Sequence, residues 1–157
     1  MLVFCRISTT YNDCLSFLVD TSDYRYSTYI QASLMLLVGI MIYLLYRPHN
    51  LLVFNIVDAL GLGHVIDNLR LSFSVFQLPP IVINSLPAGL WTASYLMMMF
   101  VTTKFHTRRV RLMLALPLPI AAIVLEFMQF WGWCPGTFDI YDLICYAIPL
   151  IIFIKSI

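Results

Sequence analysis

Apolar residues run through this chain in four long blocks, and the polar positions between them mark where each block stops. Residues 30–46, IQASLMLLVGIMIYLLY, form the first block, which closes at Arg47-Pro48 beside Tyr43 and Tyr46. Residues 86–103 (LPAGLWTASYLMMMFVTT), 112–133 (LMLALPLPIAAIVLEFMQFWGW) and 139–155 (DIYDLICYAIPLIIFIK) form the other three. Each reaches the length of about 17–25 residues that a helix needs to cross the hydrocarbon core of a bilayer. Ser85 with Pro87 reads as a helix start for the second block. Pro117 and Pro119 predict a kink in the first half of the third, and Pro149 lies inside the fourth. Prolines are tolerated in membrane helices where neighbours satisfy the freed carbonyls.

The stretch between the first two blocks has a different pattern. LLVFNIVDALGLGHVIDNLRL is apolar but interrupted by Asp58, Gly61, Gly63, His64, Asp67 and Arg70, whose positions share no single helical face. It reads as an interfacial or re-entrant helix rather than a span. SFSVFQLPPIVI after it reads as extended, with a turn at Pro79-Pro80. Residues 1–29 are mixed and polar and read as an N-terminal cytoplasmic segment. Their opening, MLVFCRISTTYNDC, lacks the order of a secretory signal, because its basic residue follows the apolar start. The predicted fold is therefore all-α, a polytopic membrane bundle of about four transmembrane helices plus the interfacial segment, with residues 30–157 as one membrane domain.

Composition supports this reading. Of 157 residues, 61% are hydrophobic and 11% charged, against about 25% charged in an average soluble domain. Seven of the nine Lys and Arg residues fall on one side of the predicted topology. They are Lys104, Arg108, Arg109 and Arg111 in a short loop, with Arg6, Arg25 and Lys155 near the termini. Only Arg47 and Arg70 fall on the other. The positive-inside rule then puts both termini in the cytoplasm, and Trp91, Trp131 and Trp133 near the outer boundary. A net charge of +1, with no basic run or stacking platform, gives no reason to expect a nucleic-acid partner. Cys5, Cys14, Cys134 and Cys145 have no CxxC spacing and no histidine at metal spacing, so they read as packing or loop residues and no metal or cofactor is expected. Membrane lipids are the expected partners, and the sequence leaves the oligomeric state open.

Against this background four polar side chains stand out: Glu126, Gln129, Asp139 and Asp142. An acid within a span is costly, by about 2.5–3.5 kcal/mol on insertion scales, which makes it a functional hypothesis. Glu126 and Gln129 are three apart and share a helix face, as do Asp139 and Asp142. At about 1.5 Å per residue, Glu126 lies roughly 10 Å, Gln129 roughly 6 Å and Asp142 roughly 5 Å below the outer ends of their helices. A short connection makes those helices antiparallel neighbours, so the four groups can converge at the outer face. Structural alternatives accompany each. Thr137 or Asp139 can cap the last helix, Asp142 suits a helix N-terminus, and Glu126 and Gln129 can bond between helices.

Carboxylates and an amide can bind a hard cation, act in acid–base chemistry on a lipid-linked headgroup, or hydrogen-bond a headgroup or sugar without reaction. No GxSxG, HExxH or phosphate-binding loop supplies a nucleophile or a metal centre, and no catalytic residue is assigned. His106 falls in the basic loop, on the other side from the acids, while His49 and His64 fall outside. Arg70 is external and can pair with Asp67, with the acids or with a lipid phosphate, or lie on the surface. Met97-Met98-Met99 reads as adaptable packing.

The run E-F-M-Q at 126–129, a short loop and G-T-F-D-I-Y-D at 136–142 resembles the C-terminal signature of the VanZ-like membrane proteins. That signature is Glu-x-x-Gln, a loop with an arginine, then one or two Asp leading the last helix. Glu126 and Gln129 match the first pair, and Asp139 and Asp142 the acids. S-L-P-A-G-L-W at 85–91 is similar to a segment of such proteins. The chain departs at the loop arginine, near whose place Gly136 stands, and carries Tyr146 and Pro149 where an asparagine and a glycine are usual. The resemblance implies a divergent member in the bacterial inner membrane, linked to glycopeptide (teicoplanin-type) resistance, with a lipid headgroup or lipid-linked envelope precursor as partner. The rival expectations are a structural or accessory membrane subunit and a metal-assisted enzyme on lipid-linked phosphate.

Overall fold

The computed structural model of the chain describes residues 25–48 and 52–157. The expected cytoplasmic segment up to residue 24, with Arg6, Cys5 and Cys14, lies outside the described residues, and so does His49. The described residues are helical and contain no strand. In chain order the helices are α1 (Arg25–Tyr46), α2 (Leu52–Ala59), α3 (Gly63–Phe73), α4 (Pro80–Asn84), α5 (Leu86–Thr102), α6 (Arg108–Ala115), α7 (Pro117–Phe130) and α8 (Ile140–Ser156).

Of these, α1 is long and apolar enough on its own to cross a membrane. The pair α6–α7 passes the same test only if taken together across a bend of 43°. Three boundaries differ from the sequence expectation. The first helix starts at Arg25, taking in residues first read as part of the N-terminal segment. The expected third span is broken at Leu116 rather than merely kinked, with Pro117 as the first residue of α7. Proline has no N–H to continue the ladder and its ring crowds the preceding turn. The hydroxyl of Tyr95 donates to the Leu114 carbonyl at 2.8 Å, satisfying an acceptor in the last turn of α6 beside the break. The third correction concerns SFSVFQLPPIVI, which is helical at both ends and leaves only residues 74–79 as turn and irregular chain. α3 runs on through Phe73, and Pro80 opens the short α4. Pro79-Pro80 is a helix start there, since proline at the first helical position loses only an orphan N–H.

α5 is the central helix. It runs antiparallel to α1, as three links show. Ser94 Oγ donates to the Ala32 carbonyl at 2.7 Å, Gly39 meets Trp91, and Arg47 Nη2 donates to the Asn84 carbonyl at 3.0 Å. It runs parallel to α8, because Gly89 lies against Cys145 and Phe100 against Phe153, ring centroids 6.5 Å apart. Small residues let these backbones close up. A Cβ at Gly39 would stand 2.6 Å from Trp91 Nε1, and one at Gly89 would stand 3.0 Å from Cys145 Cβ. A small apolar core of Leu96, Ala115 and Phe153 fills the end of the bundle away from the acids.

Burial takes in polar as well as apolar side chains, and much of the apolar surface stays outside. Thr92, Ser94 and Glu126 are buried, while Ile144, Ile148, Ile151, Ile152, Val124 and Leu125 stand exposed. An apolar surface of this extent marks contact with a membrane or another protein.

Candidate polar site at one end of the bundle

The α7–α8 hairpin brings the acids together. Glu126, on the second-last turn of α7, is 7% exposed. Its Oε2 accepts the backbone N–H of Asp139 at 3.4 Å. Asp139 is the N-cap of α8, and its Oδ1 accepts the N–H of Tyr141 at 2.9 Å. The capping role anticipated for Asp139 is therefore present, and Thr137 does not take it. Asp142 sits in the first turn of α8. Asp142 and Asp139 are the charges that act on Glu126, both of like sign. Asp142 Oδ1 is buried without a hydrogen-bond partner.

Gln129 lies one turn nearer the loop, with its amide against Gly136. A Cβ on Gly136 would stand 2.6 Å from Gln129 Nε2 and 2.7 Å from Cδ. Gly136 also has φ +136°, in the half of the map that L residues avoid. The place where the resemblance leads one to look for an arginine thus strains any L side chain through its backbone conformation, and one placed there would displace the Gln129 amide. Trp131, Trp133 and Phe130 stand exposed at this end.

Arg70 stands elsewhere. Its Nη1 donates to the Leu44 carbonyl at 2.9 Å and its Nη2 to the Arg47 carbonyl at 2.7 Å, and its guanidinium lies 5.2 Å from the Phe54 ring centroid. These bonds satisfy carbonyls at the C-terminus of α1, where a cation also meets the negative end of the helix dipole. Arg70 and Asp67 line a cavity of about 710 Å³ with Tyr46, Ser74 and Gln77. A second cavity, about 440 Å³ and lined chiefly by apolar residues of α1, α5 and α8, lies toward the other end of the bundle.

Other polar groups at the acid end were not apparent from the sequence as part of one site. Ser85 occupies the N-cap position of α5 but bonds no backbone N–H. It is fully buried, and its Oγ is unpartnered. Arg47 Nε is likewise buried and unpartnered. Tyr146, on α8, is within electrostatic reach of Asp142, Glu126 and Arg47. The signal available in the sequence was spacing, since Tyr146 follows Asp142 by four and shares its helix face. Arg47 read only as a helix stop.

The acids do not form a metal cage: among the described residues no group of three or more His, Cys, Asp and Glu is placed to hold an ion. The arrangement can offer carboxylate acceptors, an amide and a phenol to a ligand carrying hydrogen-bond donors or positive charge. No protein-family model, curated protein or solved structure matches the chain, so the residues themselves carry the functional argument.

Proposed function

We propose that the chain is a multi-pass protein of the bacterial cytoplasmic membrane, with both termini inside. In this reading the Glu126, Gln129, Asp139 and Asp142 group recognises the polar headgroup of a lipid or lipid-linked glycan at the outer leaflet. The observation that carries it is a buried glutamate joined to the start of the next helix, beside an aspartate whose Oδ1 has no partner. Intramembrane acids are costly, and those kept face the bundle interior and mark a site. The aliphatic outer faces support the embedding. α5 and α8, at 17 residues each, stand at the short limit of about 17–25 for a span. The VanZ-like signature links such a protein to glycopeptide susceptibility. The test is replacement of Glu126 and Asp142 by alanine together, in cells whose teicoplanin susceptibility or envelope-stress response depends on the protein. Loss of the phenotype with normal membrane abundance is expected. An unchanged phenotype would end the case for the site.

A second reading has its own support. Glu126 bonds the Asp139 N–H, and Asp139 caps α8, so the acids also pin the hairpin, as in a structural or accessory subunit. In that case Glu126→Gln is functionally silent and Glu126→Leu lowers stability or assembly.

A further inference from the structure

The acids are the negative side of a polar belt that continues across the bundle. α5 and α8 are parallel, with Gly89 against Cys145. Three residues earlier on each helix, residue 86 is level with Asp142, because both helices rise by about 1.5 Å per residue. Ser85, buried and unpartnered, therefore stands at the level of Asp142. Arg47 reaches the same place from α1, since its Nη2 is fixed to the carbonyl of Asn84. The Tyr146 phenol, one turn along α8 from Asp142, feels charges of both signs, Asp142 and Glu126 on α8 and α7 and Arg47 from the end of α1.

Arg47 Nε and Asp142 Oδ1 are both buried and both lack a partner, as is Ser85 Oγ. An ion pair between Arg47 and Asp142 through these atoms would satisfy two of the three, and it is not formed. Trp91 Nε1 is also unpartnered, but it lies against Gly39 on α1 and is not counted with them. Two orphaned donors and an orphaned carboxylate oxygen at one level of the bundle call for a bridging group of both signs. Buried polar atoms in native proteins are satisfied, and an orphan calls for a partner from outside the chain, a water, an ion or a ligand.

We propose that this belt binds a zwitterionic phosphate–ammonium headgroup of the phosphatidylethanolamine type. Its phosphate would meet Arg47 and Ser85, and its ammonium would meet Asp142 and Glu126. The inference rests on the outer-face headgroup reading above and narrows it to one chemical class. A primary ammonium donates hydrogen bonds to Asp142 Oδ1. A quaternary ammonium cannot, and a glycerol headgroup brings no positive charge. The aliphatic outer faces of α7 and α8 favour a lipid as the source over soluble phosphoethanolamine.

The experiment reconstitutes the full chain in nanodiscs of equal phosphatidylethanolamine, phosphatidylglycerol, phosphatidylcholine and a neutral diglycosyl lipid. Lipids retained after stepwise delipidation are measured by mass spectrometry, with and without millimolar soluble phosphoethanolamine. The wild type should retain phosphatidylethanolamine about tenfold over the others, the difference one charge-assisted hydrogen bond makes. Asp142→Asn should erase the preference over phosphatidylcholine, and Arg47→Gln should lower retention of all three phospholipids. Arg47→Lys should keep part of that retention, and it serves if Arg47→Gln fails to fold. Displacement by soluble phosphoethanolamine as effective as by the lipid would overturn the lipid source. Equal retention of the three phospholipids, or an Asp142→Asn variant with its preference intact, would overturn the zwitterion. If the neutral glycolipid is retained through Glu126 and Asp142 but not Arg47, the zwitterion fails and the headgroup reading stands. If no lipid is retained in any arm, both fail.

Discussion

Placing a side chain at Gly136 tests the architecture of the hairpin loop most directly. Its φ of +136° is open to glycine and strained for any L residue, and strain of this kind costs about 1–3 kcal/mol. The steric part is separate. A Cβ there meets Gln129 Nε2 at 2.6 Å and Cδ at 2.7 Å, but these are the end atoms of a flexible side chain that can swing away. Gly136→Ala should therefore lose about 1–3 kcal/mol, nearly all of it from the backbone. Gly136→Ala with Gln129→Ala should recover less than about 0.5 kcal/mol, the lower end of the coupling seen between residues in contact. Equilibrium unfolding in mixed micelles, followed by the fluorescence of Trp131 and Trp133 beside the loop, gives both numbers. A Gly136→Ala change within about 0.5 kcal/mol of zero, the range of ordinary surface substitutions, would refute the reasoning. So would full rescue by the second substitution, which would make the cost steric. Gly136→Arg should be no better tolerated than alanine and should displace the Gln129 amide.

Other outcomes follow from the same geometry. Arg70→Ala removes two charge-assisted bonds to carbonyls at the end of α1. It should cost about 2–4 kcal/mol in micelle unfolding, and Arg70→Lys should recover only part, because one ammonium lacks the fork that reaches both acceptors. A neutral Arg70→Ala would remove the capping role. Asp139→Ala should cost about 1 kcal/mol and Asp139→Asn little, since asparagine also caps, so equal losses in the two variants would point to charge rather than capping. Gly89→Leu should separate α5 from α8, because even a Cβ there stands 3.0 Å from Cys145 Cβ. Unchanged cross-linking between cysteines introduced at Phe100 and Phe153 would contradict that packing. For topology, an impermeant maleimide added outside whole cells should label Cys134 and spare a cysteine introduced at Arg108. The reverse pattern would put the acids on the cytoplasmic face.

What the sequence conveyed, and what it withheld, divides along the range of the interactions. Helical class was legible because long apolar blocks leave few alternatives. The Asp139 cap was legible because capping is a matter of one residue and the N–H two positions on. The break at Leu116 was half legible: Pro117 announces a disturbance, but whether a helix kinks or breaks depends on what satisfies the freed carbonyls, and here Tyr95 comes from another helix. The partners of Arg70 were illegible for the same reason. The sequence left it to pair with Asp67, the acids or a lipid phosphate, or to lie on the surface, and only the placement of the α1 terminus shows two backbone carbonyls within its reach. The extended reading of residues 72–83 failed at its ends, where α3 runs on through Phe73 and Pro80 starts a helix.

The least legible feature is the one on which the proposed headgroup site turns. Ser85 had every local mark of an N-cap, yet its hydroxyl bonds no N–H of α5. α4 ends at Asn84 and α5 begins at Leu86, and Ser85 itself has helical φ and ψ of −102° and −33°, whereas a capping serine takes extended angles that turn its oxygen back to the first N–H groups. Ser85 also donates its own N–H to the Ile81 carbonyl, as a residue within a continuing helical path does. With capping excluded by the backbone, the hydroxyl is left buried and unpartnered at the level of Asp142, one residue from the Asn84 carbonyl that anchors Arg47. Capping residues and binding residues draw on the same short polar side chains. The backbone angle at the junction, which no single-residue preference specifies, decides which role Ser85 fills.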